Sequence, residues 1–245
     1  MKTIVVKMGG VASDNLDFEF FQQIKFWQAQ GHNIAIVHGG GNYISQMMEK
    51  MNVPVEKKNG LRVTNQVALD IARLALLGQV QPMLTGRFQA EHISALGLNA
   101  ASDRLIEGHI IDFHKFGYVG QVDKINIYLL ENLMEIGQVP IIAPLGMTED
   151  GQWLNINADD VAAQVASQLQ ADELYLLTDV PGIKKENIWM KKIPTEEIDE
   201  LKDKKIVTGG MLPKIESAKK ALKAGVGAVF INNCISSKGT EIGAF

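Results

Sequence analysis

The sequence predicts an α/β protein built on a mostly parallel sheet with helices on both faces. Three observations carry that expectation. Short β-branched apolar runs recur along the chain, longer stretches of helical periodicity separate them, and glycine-rich turns follow several of the runs. Unbroken apolar runs suit strands buried on both faces, and strand–helix alternation is the pattern of a covered parallel sheet.

Taken in order, residues 3–7 read as a first strand that leads into Lys7-Met8-Gly9-Gly10. A helix is expected at 18–30, then a strand at 33–38 that runs into His38-Gly39-Gly40-Gly41-Asn42, then a helix at 42–51. Residues 53–63 interrupt the alternation and read as a small hairpin or a loop over a pocket. Helices follow at 65–77 and 81–95. Across 105–122 the alternation is mixed with Gly108, Gly117 and Gly120, which points to antiparallel strands at an edge. A helix at 124–136, a strand at 139–144, a helix at 158–169, a strand at 173–178, a helix at 211–224 and a strand at 228–232 complete the pattern. A boundary near 170–172 divides an N-terminal lobe, 1–170, from a smaller C-terminal lobe, 171–245. There is no clear repeat and no low-complexity tract.

A chain of 245 residues with 46% hydrophobic and 21% charged side chains can bury a large core. Its formal charge of −4 argues against broad nucleic-acid binding, which needs a basic face. A local pocket can still be positive inside a mildly acidic protein. Cys234 is the single cysteine, so neither an internal disulfide nor a cysteine cluster for zinc is expected. Neither a signal peptide nor an apolar segment of about 18 residues is read from the sequence. The expectation is a cytoplasmic protein that does not enter the membrane.

The candidate chemistry sits in the glycine turns and two distant lysines. Gly9-Gly10 after a strand is either a tight turn or a place where backbone N–H groups approach an anion. Three consecutive glycines at 39–41 are more than a turn requires, which favours a ligand beside Gly40 and Gly41. Neither run fits the dinucleotide or the P-loop spacing. Lys7 closes a buried strand, where open α/β sheets bind ligands; solvation of a strand end is the plain alternative. Lys214 follows Gly209-Gly210-Met211-Leu212-Pro213 near a helix N-terminus, where a cation opposes the helix dipole unless an anion lies between. An exposed lysine whose cost is screened away is the plain alternative.

In Asn155-Ile156-Asn157-Ala158-Asp159-Asp160, Asn157 reads as a helix cap with Asp160 as its capping-box acid. Asn155 is left to bond a ligand and Asp159 to hold a lysine ammonium in place. Arg62 precedes a helix capped by Thr64 or Asn65, and its fork matches a carboxylate. Thr178-Asp179-Val180-Pro181-Gly182 follows an apolar strand and reads either as a nucleotide-side loop or as a plain Pro-Gly turn. No metal site is read from the histidines.

These residues resemble the acetylglutamate kinases of bacteria, within the amino acid kinase superfamily. The likeness runs nearly end to end. It rests on Val5-Val6-Lys7-Met8-Gly9-Gly10, Val37-His38-Gly39-Gly40-Gly41, Lys58-Asn59-Gly60-Leu61-Arg62-Val63-Thr64, Gly117-Tyr118-Val119-Gly120, Asn155-Ile156-Asn157-Ala158-Asp159 and Gly209-Gly210-Met211-Leu212-Pro213-Lys214. The resemblance implies a three-layer αβα sandwich and an ATP-dependent kinase acting on N-acetyl-L-glutamate in arginine biosynthesis. By that likeness Lys7 and Lys214 flank the transferring phosphoryl group, and Asp159 orients them. Gly40, Gly41, Arg62 and Asn155 hold the amino acid. Gly9, Gly10, Thr178, Asp179, Gly182, Gly209, Gly210 and Met211 lie on the ATP side, with Mg²⁺ carried by the nucleotide phosphates. Amino-acid binding and homodimer formation fall to residues 1–170, ATP binding to 171–245. Arginine-sensitive members carry an extra N-terminal helix; only Met1 and Lys2 precede the first strand here, so no inhibition by arginine is expected. Another amino acid kinase and a non-catalytic amino-acid-sensing relative are the competing readings.

Overall fold

The computed structural model describes residues 1–9, 16–204, 206–207, 209–243 and 245. Its centre is an eight-stranded sheet. From edge to edge it runs β14 (Lys192–Pro194), β16 (Thr240–Gly243), β15 (Ala228–Asn232), β11 (Glu173–Leu177), β1 (Thr3–Met8), β2 (Asn33–His38), β8 (Val139–Ile142) and β5 (Ala95–Leu98). Every pairing in it is parallel except β15 with β16.

Alternation along β1 shows how the strands are covered. Ile4, Val6 and Met8 pack with Phe20, Phe21 and Ile24 of α1 (Phe18–Ala29) and with Leu84 and Phe88 of α4 (Gln81–Ala90). Val5 turns to the other face, where α7 (Ala158–Gln168) and α9 (Met211–Lys223) bring Val161, Val165, Ile215 and Ala218. Successive side chains of a strand point to opposite faces, so Lys7 shares the α7 and α9 side with Val5. That single parity fact brings Lys7 toward Asp159.

A second sheet of four strands, β10 (Trp153–Asn155), β9 (Leu145–Met147), β6 (Ile106–Ile110) and β7 (Gly120–Ile125), lies beyond the carboxyl end of β8. The antiparallel β6–β7 pair is the edge feature expected over 105–122. The interruption at 53–63 is a hairpin, β3 (Lys57–Lys58) with β4 (Leu61–Arg62). Asn59 and Gly60 between them both have positive φ, 52° and 80°, as a tight two-residue turn demands.

Several expectations shift. The helix expected at 81–95 ends at Ala90; His92 takes φ 58°, and 95–98 form the edge strand β5. The helix expected at 124–136 starts at Ile127 as α6 (Ile127–Glu135), because 120–125 pair with β6. The strand expected at 139–144 divides at Pro144 into β8 and β9. The helix expected at 65–77 is α3 (Gln66–Arg73) followed by a π-helical stretch, Leu74–Val80, that runs into α4. The whole run Gln66–Ala90 is long and apolar enough, by length and composition, to cross a membrane, contrary to the sequence expectation. Half of its apolar window is buried against the rest of the chain, as in a core helix.

Candidate active site

Two helix N-termini open on one cleft at the carboxyl end of β1 and β2, and a third lies beside it through the contact of Lys214 with Asp159. Gly40 and Gly41 begin α2 (Gly41–Lys50), Asn157 and Ala158 begin α7, and the first turns of α9 carry Lys214. Each N-terminus presents unpaired N–H groups and the positive end of a helix dipole. The cleft holds about 230 Å³ and is lined by Lys7, Gly9, Gly40, Gly41, Arg62 and Asn155 among others.

One carboxylate bridges Lys7, which lines the cleft, and Lys214. Asp159 Oδ1 is 2.8 Å from Lys7 Nζ, and Asp159 Oδ2 is 3.0 Å from Lys214 Nζ. All three side chains are nearly withdrawn from solvent, at 8%, 6% and 13% exposure. Burial alone would raise the Asp159 carboxyl, but the charges of Lys7 and Lys214 outweigh it and hold the group below the ordinary carboxylate range. Lys7 bears the opposite imbalance. Its burial, together with the charge of Lys214, pushes its ammonium below the usual lysine value despite the pull of Asp159. One anion thus serves two buried cations, and the site carries one uncompensated positive charge aimed at the cleft. An arriving phosphate relieves that imbalance.

Asn157 caps α7, its Oδ1 accepting from the Asp159 N–H at 2.8 Å. Asp160 does not complete a capping box: its carboxylate accepts from Ser217 Oγ at 3.0 Å and so ties α7 to α9. That tie positions Lys214, three residues before Ser217 on α9, against Asp159.

Arg62 reaches back to the start of α2, donating to the Gly41 carbonyl at 3.0 Å and to Ser45 Oγ at 2.7 Å. Burial lowers its guanidinium from the usual arginine value. Thr64 does not cap α3; Asn65 does, accepting from the Ala68 N–H at 2.9 Å. Thr64 is instead fully buried beside Asn155. Asn155 lines the cleft on β10, at the point where that strand meets the 117–119 segment.

The glycines divide by cause. A Cβ on Gly40 would lie 2.5 Å from Leu76 Cδ2 in the π-helical stretch, so packing gives a reason of its own for glycine there. Gly41 has open space around it. Gly182 is packed against Thr240, whose hydroxyl accepts from the Ile183 N–H, so its lack of a side chain also has a packing cause. Gly209 has φ 56° and Gly210 is the N-cap of α9; both face open space, and Met211 starts the helix. Thr178 and Asp179 line a separate cleft of about 210 Å³, with Phe20 and Cys234 on its walls. Gly10 lies outside the described residues. Lys57, in the segment read as a hairpin or a loop over a pocket, and Val119, in one of the runs that carry the resemblance, also line the main cleft, as do Ile44 and Leu76, which no pattern in the sequence marked. Among the described residues no three His, Cys, Asp or Glu side chains cluster as a metal site, and both oxygens of Asp159 are taken by ammonium groups.

The profile of the amino acid kinase family matches residues 2–233. An acetylglutamate kinase of Listeria monocytogenes serotype 4b (strain F2365) is 49% identical over 240 residues, covering 98% of this chain and 96% of that one. An acetylglutamate kinase of Leuconostoc mesenteroides subsp. mesenteroides is 50% identical over 242 residues, covering 99% of each. A solved structure from Streptococcus mutans UA159 superposes with a TM-score of 0.95 at 41% identity, over 99% of each chain.

Proposed function

The chain belongs to the amino acid kinase family, and from that premise we infer that it is an acetylglutamate kinase, transferring the γ-phosphoryl group of ATP to N-acetyl-L-glutamate in arginine biosynthesis. The buried Lys7–Asp159–Lys214 bridge is the observation that supports this most directly. A γ-carboxylate oxygen of the substrate attacks the γ-phosphorus; a P–O bond forms as the bond to ADP breaks, and no proton has to move. With an ordinary pKa of roughly 4.3 the carboxylate is already ionised near neutrality, so no catalytic base is required. The obstacle is repulsion between two anions held in line.

Lys7 and Lys214 offset that repulsion and stabilise the charge that spreads over the transferring oxygens. Asp159 acts as the positioning group, holding both ammonium groups at one point. Arg62 and Asn155 grip the α-end of the amino acid, with Gly40 and Gly41 offering backbone N–H groups. Gly9, Gly10, Gly209, Gly210 and Met211 face the nucleotide phosphates, and Thr178, Asp179 and Gly182 belong to the nucleotide side. Residues 1–170 hold the amino acid and 171–245 the ATP. Mg²⁺ fits this donor set only through the nucleotide's own phosphates, where it supplies charge neutralisation. The working unit is a homodimer, joined through the N-terminal lobe.

Hydroxylamine trapping of the acyl phosphate tests the assignment, with N-acetyl-L-glutamate, glutamate and aspartate assayed side by side. Trapped product is expected with N-acetyl-L-glutamate; product with glutamate or aspartate alone overturns it. In the same assay Lys214→Ala should lower kcat about 10²- to 10³-fold, with the KM for N-acetyl-L-glutamate within about threefold of wild type because the substrate contacts are intact. Unchanged turnover removes Lys214 from the mechanism.

A further inference from the structure

Three lengths of backbone are stacked at the α-end of the cleft. The Thr64 N–H donates to the Phe116 carbonyl at 2.8 Å, the Tyr118 N–H to the Thr64 carbonyl at 2.7 Å, and the Asn155 N–H to the Tyr118 carbonyl at 2.9 Å. The segment around Tyr118 is therefore held between Thr64 on one side and Asn155 on the other. Their side chains meet across it. Thr64 Oγ1 donates to the Arg62 carbonyl at 2.7 Å and accepts from Asn155 Nδ2 at 3.0 Å.

The chain of bonds has a direction. A hydroxyl has one proton, and a backbone carbonyl can only accept. With the Thr64 proton committed to Arg62, its oxygen offers only lone pairs to Asn155. The Asn155 amide must therefore turn its NH₂ toward Thr64. A flipped amide would set Oδ1 against the Thr64 lone pairs, in a place where Thr64 is fully buried and water cannot intervene. The consequence lies on the other side of the amide. Oδ1, an acceptor, is the atom left to the cleft that Asn155 lines.

We propose that Thr64 is a positioning residue that fixes the polarity of Asn155, so that the cleft presents an acceptor and selects substrates with an N–H donor at their α-end. Resting on the assignment above, this identifies the feature of N-acetyl-L-glutamate that Asn155 reads as its acetamido N–H. An ester oxygen at the same place presents a lone pair to Oδ1 and is rejected. Sites built around a hydrogen bond discriminate strongly against an analogue that lacks it, because the buried polar group loses its partner.

The test compares N-acetyl-L-glutamate with 2-acetoxyglutarate, in which oxygen replaces the N–H, for wild type, Thr64→Val, Thr64→Ala and Thr64→Ser. Wild type should prefer the amide over the ester in kcat/KM by at least about tenfold. Thr64→Val, which keeps the shape and removes the hydroxyl, should raise KM for the amide about tenfold, hold kcat within about threefold, and shrink the preference to about threefold or less. Thr64→Ser restores the hydroxyl and should restore the preference. Thr64→Ala takes the place of Thr64→Val if that variant does not fold. A hydroxyl-free variant that folds and keeps the wild-type preference overturns the proposal, as does a wild type that accepts the ester equally. Absence of wild-type turnover on N-acetyl-L-glutamate instead refutes the functional assignment, so the two failures are separable. A general loss of packing would lower both substrates together and leave their ratio unmoved.

Discussion

At the scale of single residues, the carboxyl end of the central strands carries two buried groups with opposite duties. Asp159 stays charged because two ammonium groups surround it. His38, last residue of β2, stays neutral because its burial disfavours the charged form. Its Nδ1 lies 2.8 Å from the Gly39 carbonyl, which fixes the proton on Nδ1, and its buried Nε2 has no partner. Burial pushes its pKa down from 6.5 to about 4. The sign of the linkage follows. Between those two values the unfolded chain binds a proton that the folded chain refuses, so stability is full above pH 6.5 and is lost as pH falls toward 4. The difference amounts to about 3 kcal/mol across the window. His38→Asn, which can still donate to Gly39 but does not titrate, should show a shallower decline in urea unfolding free energy over that range, by about that amount. Parallel profiles for wild type and variant would show that His38 does not take up the proton on unfolding.

At the scale of elements, the site depends on backbones that approach closer than side chains permit. Gly117 has φ 68°, and a Cβ there would run into the Thr64 carbonyl, a backbone atom with no freedom to give way. Gly117→Ala should cost about 3 kcal/mol or more, at least ~6 °C in Tm, and raise KM for N-acetyl-L-glutamate by displacing Arg62 and Asn155 together. Gly137 supplies the control: its φ is 80°, yet nothing lies within 4 Å of its Cβ position. Gly137→Ala should lose only the roughly 1–2 kcal/mol of the left-handed conformation. Equal melting points for the two variants would mean that the close approach contributes nothing. Such contacts mark the limit of what the sequence discloses. Strands at 3–7, 33–38, 173–178 and 228–232 were legible to within a residue, because they are β-branched and buried on both faces. The edge strand Ala95–Leu98 was not, since Ala-Leu-Gly-Leu has no β-branched residue and owes its extended form to pairing with β8. Lys7, Asp159 and Lys214 were singled out by their glycine turns and by an acid left over from capping, each with a plain alternative, and the structure brings the three side chains together. The cap of α3 was read as Thr64 or Asn65 because the spacing of both suits one; Asn65 takes the role and Thr64 is buried beside Asn155. Gly40 was read as a ligand contact, and its closeness to Leu76, 36 residues away, has no signature in local spacing.

At the scale of the whole molecule, the sheet ends in an edge that calls for a partner. Strand β5 pairs with β8 on one side, and among the described residues no strand pairs with its other side. Exposed edges are a liability that proteins cover, twist away or use for association. Here Leu96, at the centre of β5, is 42% exposed, and α4 packs on the same strand. The helical run that continues into α4 leaves Val67 and Leu74 exposed as well, at 51% and 59%. Exposed apolar side chains on an edge strand and on a helix are the kind of surface a two-fold interface covers, where the same residues on each copy serve both. Lys7, which lines the main cleft, and Lys214 are both held by Asp159 of the same chain. A dimer formed on this patch is expected to contribute stability rather than chemistry, because the Lys7–Asp159–Lys214 bridge lies within one chain. Light scattering on the purified protein should give a dimer, and Leu74→Lys combined with Leu96→Lys should give a monomer, because each copy would bring like charges to the shared axis. The monomer should keep kcat within about threefold of wild type while its Tm falls with the lost burial. A dimer that survives both lysines would place the interface elsewhere. A monomer without turnover would mean that one copy completes the site of the other.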